Sequence, residues 1–422
     1  MADRMKYVII VGDGMADYPV ESLGGKTPLM VARTPHMDWL ARNGTTGLVR
    51  TVPDGFTPGS EIANLSIFGY DPVRYYTGRG PLEAASLKIV LEPGDLAFRC
   101  NLVTVQDDGQ RAVMEDFSAG HITSEEAEEV IRDLNRALGT SDLRFHAGVS
   151  YRHLMVWRRV TASFSVLETL PLAPPHDIVG KEIGPFLPSG GGASSGTAVE
   201  DGGEKIRDLT FRSQALLRDH PVNRERKSRG ARPANSIWLW GQGRAPRMVT
   251  VKERFGIEGY VISAVHLLRG IGMLAGLEVV DVPGATGYFD TNYEGKAVYA
   301  LEGLKKRDLV YVHVEAPDEA GHMGDLNRKV ESIEAFDEKV VGTVLNGIRE
   351  FKRYRVMVLP DHPTPLSVRT HVGDPVPFVI YSSESLPGRD GAESFDEDSA
   401  RRSGIIVERG YELIDRFITG AF

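Results

Sequence analysis

Short apolar runs rich in β-branched residues punctuate the two ends of this chain. Tyr7-Val8-Ile9-Ile10-Val11 closes on Gly12-Asp13-Gly14, and Leu309–Val314 leads into Glu315-Ala316-Pro317-Asp318. A third run, Arg355–Leu359, ends in Pro360-Asp361-His362. Such runs, apolar without alternation and bounded by turn residues, predict strands buried on both faces, as in a parallel sheet. Between the last two, Leu326, Val330, Ile333, Val340, Val344 and Ile348 recur every three to four residues or multiples of it, with Phe336 or Asp337 in the gap. They predict an amphipathic helix after Asp325. Strand–helix alternation beyond about Ala234 predicts a doubly wound α/β core.

The middle of the chain has a different rhythm. Leu96–Val105, Leu143–Ala147, Tyr151–Trp157 and Ser163–Glu168 read as strands. Ser124–Leu138 reads as a helix, with Thr123 and Glu126 spaced as a capping box and Ala127, Val130, Ile131 and Leu134 on one face. A second helix is expected over Glu204–Leu217, and the glycine- and serine-rich Ser189–Gly196 between them as a linker or disordered loop. These elements predict a small α+β domain at 93–234, inserted into a discontinuous core of 1–92 and 235–422. Trp238 and Trp240 alternate in a strand pattern that suits packing.

Composition narrows the classes. With 422 residues, domains of ordinary size can each bury a core. The single cysteine, Cys100, excludes a disulfide framework and any multi-cysteine zinc module, and fits a reducing, cytoplasmic compartment. A net charge of −9 argues against nucleic acid as a partner. Tyr7–Val11 is too short for the apolar stretch of a secretory leader. The longest apolar-leaning stretch, Val261–Val282, carries His266, Arg269 and Glu278, so no membrane span is expected.

Chemistry concentrates at the strand ends. Asp13, Asp318 and Asp361 each follow a buried-strand candidate, where open α/β sheets bind their ligands. His322 lies four residues after Asp318, on the same face of a helical turn. His362 adjoins Asp361, and His371 follows within ten residues. Carboxylate oxygen with imidazole nitrogen suits Mn²⁺, Zn²⁺ or Fe²⁺, and six such ligands are enough for two ions. Taken singly, each Asp could be a helix cap and each His a core or surface residue. Ser60, after Pro58-Gly59 and before an apolar helical segment, is a candidate nucleophile at a helix N-terminus, where backbone N–H groups favour a developing negative charge. Its simpler reading is an N-cap.

Val11-Gly12-Asp13-Gly14-Met15-Ala16-Asp17, Pro58–Leu65, Tyr76–Ala84, Asp318-Glu319-Ala320-Gly321-His322 and Pro360-Asp361-His362, in this order, resemble cofactor-independent phosphoglycerate mutases of the archaeal type, in the alkaline phosphatase superfamily. The resemblance covers nearly the whole chain. It implies an alkaline-phosphatase-like doubly wound core and interconversion of 3-phosphoglycerate and 2-phosphoglycerate with two divalent metal ions. Manganese is the expected metal, with zinc, cobalt or magnesium as alternatives. It further implies that Asp13, Ser60, Asp361 and His362 hold one ion, that Asp318, His322 and His371 hold the other, and that Ser60 becomes phosphorylated. Enclosure by the inserted domain would then keep water from the phosphoserine.

The resemblance implies substrate contacts from His121, Arg229 and Arg232, and Arg152 and Arg269 are further candidates. Arginine matches the bidentate geometry of phosphate and carboxylate, and Arg269 stands where related chains often carry lysine. The alternative reading is a related phosphotransferase, since similar bacterial chains sharing Ala97-Phe98-Arg99-Cys100-Asn101-Leu102 have been proposed as homoserine kinases. Either reading makes the partner a small phosphorylated metabolite; the oligomeric state is not legible.

Overall fold

The computed structural model describes residues 4–160, 167–188, 199–384 and 392–421. Their strands, in chain order, are β1 (Lys6–Gly12), β2 (Thr45–Val49), β3 (Leu96–Asp107), β4 (Ala112–Asp116), β5 (Leu143–Val149), β6 (Arg152–Trp157) and β7 (Ser236–Gly243). There follow β8 (Gly259–Ile262), β9 (Glu278–Val279), β10 (Leu309–Val314), β11 (Tyr354–Leu359), β12 (Val376–Ser382) and β13 (Ile406–Val407). The chain divides into two units, Met1–Tyr76 with Arg247–Phe422, and Thr77–Pro246.

In the first unit, one mixed sheet runs β13-β2-β12-β11-β1-β10-β8-β9. The three apolar runs become its centre: β1 pairs in parallel with β10 on one side and β11 on the other. Every residue of β1 and β10 is buried. Side chains therefore alternate between two covered faces. Val8, Ile10, Val310, Val312, Val356 and Val358 join one apolar cluster with Ala297, Ile333 and Val344 from helices. On the other face Tyr311 stacks on Phe68, ring centroids 4.1 Å apart, and Tyr7 meets Phe417 edge-on.

The amphipathic stretch after Asp325 is α-helical over Leu326–Ala335, widens to a π-turn over Phe336–Val341 and resumes at Gly342–Gly347. Single π-turns re-aim side chains within a helix. Here buried Asp337 accepts the His36 and Met37 backbone N–H groups at 3.2 and 2.7 Å, satisfying the start of helix Pro35–Asn43.

The second unit is antiparallel. β3 pairs with β6 and β7 along its first half and with β4 along its last residues. Helix Ser124–Leu138 begins with the expected capping box and lays Ala127, Val130, Ile131 and Leu134 against Phe98, Cys100 and Leu102. Cys100 is fully buried, and burial pushes its thiol well above the ordinary range, so it packs and does not react.

This unit is wider than the 93–234 expected of the insert. The segment after Ala234 was assigned to the core, yet β7 hydrogen-bonds to β3 through Trp238 and Trp240, and helix Arg79–Ser86 belongs to the same unit. Strand pairing between positions 133–146 residues apart leaves no local signature, so the boundary moves outward on both sides. Residues 163–166 of the expected fourth strand, and the glycine- and serine-rich stretch, lie outside the described residues. No described helix is long and apolar enough to cross a membrane; the stretch 261–282 is instead strand, helix His266–Leu274 and strand.

Candidate metal centre and nucleophile

Because β11, β1 and β10 lie side by side and parallel, the residues that follow them emerge together. Asp13 is the residue after β1. Asp361 comes two residues after β11, with His362 beside it. Asp318 and His322 sit one turn apart on helix Ala316–Met323, which starts two residues after β10. Asp13, Asp361 and His362 are essentially inaccessible to solvent, and Asp318 is buried.

Two knots of ligand-type atoms result. In one, His322 Nε2 is 3.1 Å from Asp318 Oδ2, His371 Nε2 is 3.5 Å from Asp318 Oδ1, and the two imidazole nitrogens are 3.0 Å apart. In the other, His362 Nε2 lies 3.5 Å from Asp13 Oδ1, 3.6 Å from Asp361 Oδ2 and 3.2 Å from Ser60 Oγ. The seven residues expected to bind metal thus lie in these two knots, but their grouping differs from the expected one: Asp318, His362 and His371 can each offer a ligand atom within 4.8 Å of the others, as can Asp13, His313 and Asp361, and the His362 ring centroid is 4.1 Å from that of His371.

The electrostatics of this centre call for cations. Burial raises the Asp13 carboxyl well above its usual range, and the charges of Asp361, Asp318 and Glu315 raise it further. Asp13 Oδ1 is buried with no hydrogen-bond partner among the described residues. Burial also acts against an ionised Asp318, but hydrogen bonds from His322 and His371 outweigh it and hold that carboxyl well below the usual range. His322 is correspondingly raised to about 9 by Asp318. A pair of divalent ions would relieve the crowding of three carboxylates and satisfy the orphaned oxygen. The donors, carboxylates with imidazoles, are those of Mn²⁺, Zn²⁺ or Co²⁺ more than of Mg²⁺.

Ser60 is the first residue of helix Ser60–Ile67. Its side chain caps nothing; the capping position is Gly59. The N-cap reading is therefore excluded, and the hydroxyl is left facing His362. Asn64, one turn on, was only part of a motif in the sequence, but its Nδ2 donates to the Ser60 carbonyl and to Asp361 Oδ2, each at 2.8 Å. Tyr311 in turn donates its hydroxyl to Asn64 Oδ1. The Ser60 backbone is thus tied to a carboxylate of the centre and to the middle of β10.

Two further buried contacts brace the loops. Thr364 Oγ1 donates to Asp318 Oδ1, and Lys329 Nζ bonds Asp17 Oδ2 at 2.6 Å and the Thr364 carbonyl at 2.7 Å. Neither was anticipated, since a lysine within an amphipathic pattern reads as exposed. The other residue missed is His313, fully buried on β10 with Nε2 3.1 Å from Asp13 Oδ2. Its place one residue from the end of a strand ending near carboxylates was the available clue.

The expected substrate-binding side chains stand apart from this set in the chain. Arg269 Nε donates to the Ser263 carbonyl at 2.6 Å and Nη1 pairs with Asp281 at 2.8 Å. The other four belong to the second unit. Arg229 pairs with Glu126, and Arg232 with Asp116 at 2.7 Å and Glu115 at 3.2 Å. Arg152 lies over the Tyr151 ring, and His121, at a positive φ of 50°, meets the same ring edge-on. Each arginine but Arg152 is engaged with a carboxylate here, and a phosphate or carboxylate ligand would compete for those guanidiniums.

A parallel-stranded α/β unit that gathers carboxylates, imidazoles and a serine at its strand ends has the make-up of a metal-assisted phosphoryl-transfer enzyme. Comparison with known proteins makes this specific. The family model described as 2,3-bisphosphoglycerate-independent phosphoglycerate mutase matches residues 41–223. The protein of that name from Methanothrix thermoacetophila is 52% identical over 99% of this chain and all of its own. Its namesake from Methanosarcina acetivorans is 50% identical over 98% of this chain and all of its own. Among solved structures, the cofactor-independent phosphoglycerate mutase from Thermoplasma acidophilum matches with a TM-score of 0.64 at 27% identity, covering 99% of this chain and 100% of its own. The chain belongs to the family of 2,3-bisphosphoglycerate-independent phosphoglycerate mutases.

Proposed function

We propose that the chain interconverts 3-phosphoglycerate and 2-phosphoglycerate through a phosphoserine at Ser60. The observation that carries this reading is Ser60 Oγ, free of any capping role and 3.2 Å from His362 Nε2, beside two knots of carboxylate and imidazole. Full-length relatives of about half-identical sequence bearing the mutase name support it.

Asp13, Asp361 and His362, with Ser60, would hold one divalent ion, and Asp318, His322 and His371 the other. Such ions lower the pKa of a coordinated hydroxyl and offset charge on transferring phosphoryl oxygens. Manganese is the metal we assign, from the mixed nitrogen and oxygen donors.

The chain's own groups perform the rest. Ser60 Oγ attacks phosphorus in line with the bond to the substrate's C3 oxygen; that bond breaks, and the departing oxygen takes the proton the serine has lost. Helix Ser60–Ile67 points its N-terminus at the developing charge. Glycerate then turns so that its C2 hydroxyl faces the phosphoserine. This hydroxyl attacks, and Ser60 leaves with a proton restored. Asn64 keeps the serine's backbone in register with Asp361 throughout. In the second unit, Arg229 and Arg232 would exchange their carboxylate partners for the substrate's anionic groups, with His121 and Arg152 as further proposed contacts. We place the activity in the cytoplasm, which the single cysteine supports.

The test is turnover by purified protein with Mn²⁺, following 2-phosphoglycerate from 3-phosphoglycerate and, in parallel, phosphorylation of homoserine. Interconversion is expected. Phosphorylation of homoserine without interconversion would overturn the assignment.

A further inference from the structure

His313 is the one member of this centre that the two expected ion sites leave unused. It stands on β10 opposite Val11 of β1, and Val11 in turn lies opposite Leu359 of β11. Asp13 and Asp361 each lie two residues beyond those partners, so three neighbouring parallel strands deliver the three side chains to one place. His313 is fully buried, and neither of its ring nitrogens has a hydrogen-bond partner among the described residues. A buried imidazole without partners is costly unless something pairs with it.

We propose that Asp13 Oδ2 and His313 Nε2, with the Asp361 carboxylate, hold a further divalent transition-metal ion, a third position beside the two already assigned. It rests on the reading of the neighbouring donors as cation ligands.

Three features carry the assignment. First, one ligand atom each from Asp13, His313 and Asp361 lies within 4.8 Å of the others. Second, His313 Nε2 and Asp13 Oδ2 are 3.1 Å apart without the alignment of a hydrogen bond. Two donors each about 2.1 Å from a common ion would subtend about 95° at that separation, the angle of neighbouring ligands. Third, the two oxygens of Asp13 face different imidazoles, Oδ1 towards His362 at 3.5 Å and Oδ2 towards His313 at 3.1 Å. A carboxylate so placed can bridge two ions, as in paired metal sites about 3.5–4 Å apart.

The strand holds the imidazole in place. Lys296 Nζ, fully buried, donates to the His313 carbonyl at 2.9 Å and fixes the end of β10. One nitrogen and two carboxylates select Mn²⁺, Co²⁺ or Zn²⁺ over Ca²⁺ and Mg²⁺, which prefer oxygen alone.

The experiment is Co²⁺ stoichiometry of the full chain by equilibrium dialysis and elemental analysis, with a parallel titration followed by visible absorption. Wild type is expected to take up three ions per chain. His313→Ala and the volume-filling His313→Phe, each checked for fold by circular dichroism, should take up two, as should His322→Ala through loss at a different position. Two ions in wild type, falling to one in His322→Ala and unchanged at His313, would overturn the third position while the two-ion reading stands. Two in wild type falling to one in the His313 variants would also overturn it, making His313 a ligand of an ion already assigned. No uptake by wild type would overturn both. Should neither His313 variant fold, the wild-type titration decides: a third spectral step supports the site, and saturation after two refutes it.

Discussion

Replacing Lys329 by methionine removes one charge from a pair that is wholly buried. Lys329 Nζ donates to Asp17 Oδ2 at 2.6 Å, to the Thr364 carbonyl at 2.7 Å and to the Ala16 carbonyl at 3.4 Å, and both side chains are inaccessible to solvent. Breaking one side of a buried ion pair costs about 3–5 kcal/mol, because the remaining charge is left uncompensated. Asp17 keeps the backbone N–H groups of Tyr18 and Leu366, at 2.8 and 3.2 Å, which puts the expected cost near the lower end, about 3 kcal/mol. For a folding unit of this size that corresponds to a fall in melting midpoint of roughly 6–12 °C. Asp17 lies four residues after Asp13, and Thr364 two after His362. The same substitution should therefore raise the Mn²⁺ concentration needed for half-maximal activity. The assay is thermal and urea unfolding of wild type, Lys329→Met, Asp17→Asn and the double variant. In the double variant the stranded charge is gone, so it should lose less than the two single losses combined. A loss below about 1 kcal/mol for Lys329→Met, or strict additivity, would refute the reasoning.

Ser60→Ala should lower turnover by more than roughly a thousandfold, because it deletes the nucleophile, while shifting the unfolding midpoint little, since the hydroxyl caps no helix; steady-state rates and melting curves check both, and residual turnover near wild type would end the phosphoserine scheme. Gly14→Ala should disable the centre: Gly14 has φ +60°, and an added Cβ would stand 2.5 Å from Asp318 Oδ1 and 2.7 Å from Asp318 Cα. The expected stability loss is about 2–3 kcal/mol from strain and overpacking, read by urea midpoint, with turnover lost in parallel. Glu397 supplies a pH prediction. Burial raises its carboxyl from 4.5 to about 7, so its contribution to stability is full below 4.5 and lost as pH climbs through 7, by about 3 kcal/mol in all. Glu397→Gln does not titrate, so unfolding at pH 5 and pH 8 should show the balance shifting towards the variant at pH 8; parallel pH curves would contradict it.

The legible part of this molecule was local. Three unbroken apolar runs, each with a carboxylate at its end, were enough to name the strands β1, β10 and β11 and to mark the carboxylates after them as candidate ligands. The capping box at Thr123 and Glu126 was read in the same way. His313 went unread because nothing in a strand's own residues tells which side chain faces a neighbour's carboxylate, and that depends on the pairing partner. Lys329 was hidden for a related reason: its charge is tolerated inside only because Asp17, 312 residues away in the chain, meets it there. β7 was assigned to the wrong unit because its alternating tryptophans announce a strand and say nothing of which edge it joins.

What the sequence by itself determined is therefore the kind of element at each place and the chemical stock at its ends: oxygen and nitrogen ligands, a serine beside a helix start, a single cysteine with no part in the chemistry. These follow from periodicity and from residue chemistry, which act over a few positions. Tertiary structure alone decided that β11, β1 and β10 lie adjacent and parallel, that Asp13 turns its two oxygens towards two imidazoles, and that a lysine and an aspartate can be buried together. Those outcomes depend on distances between residues far apart in the chain, and only the assembled sheet, with both faces of its central strands covered, brings the groups near enough for charge and hydrogen bonding to act.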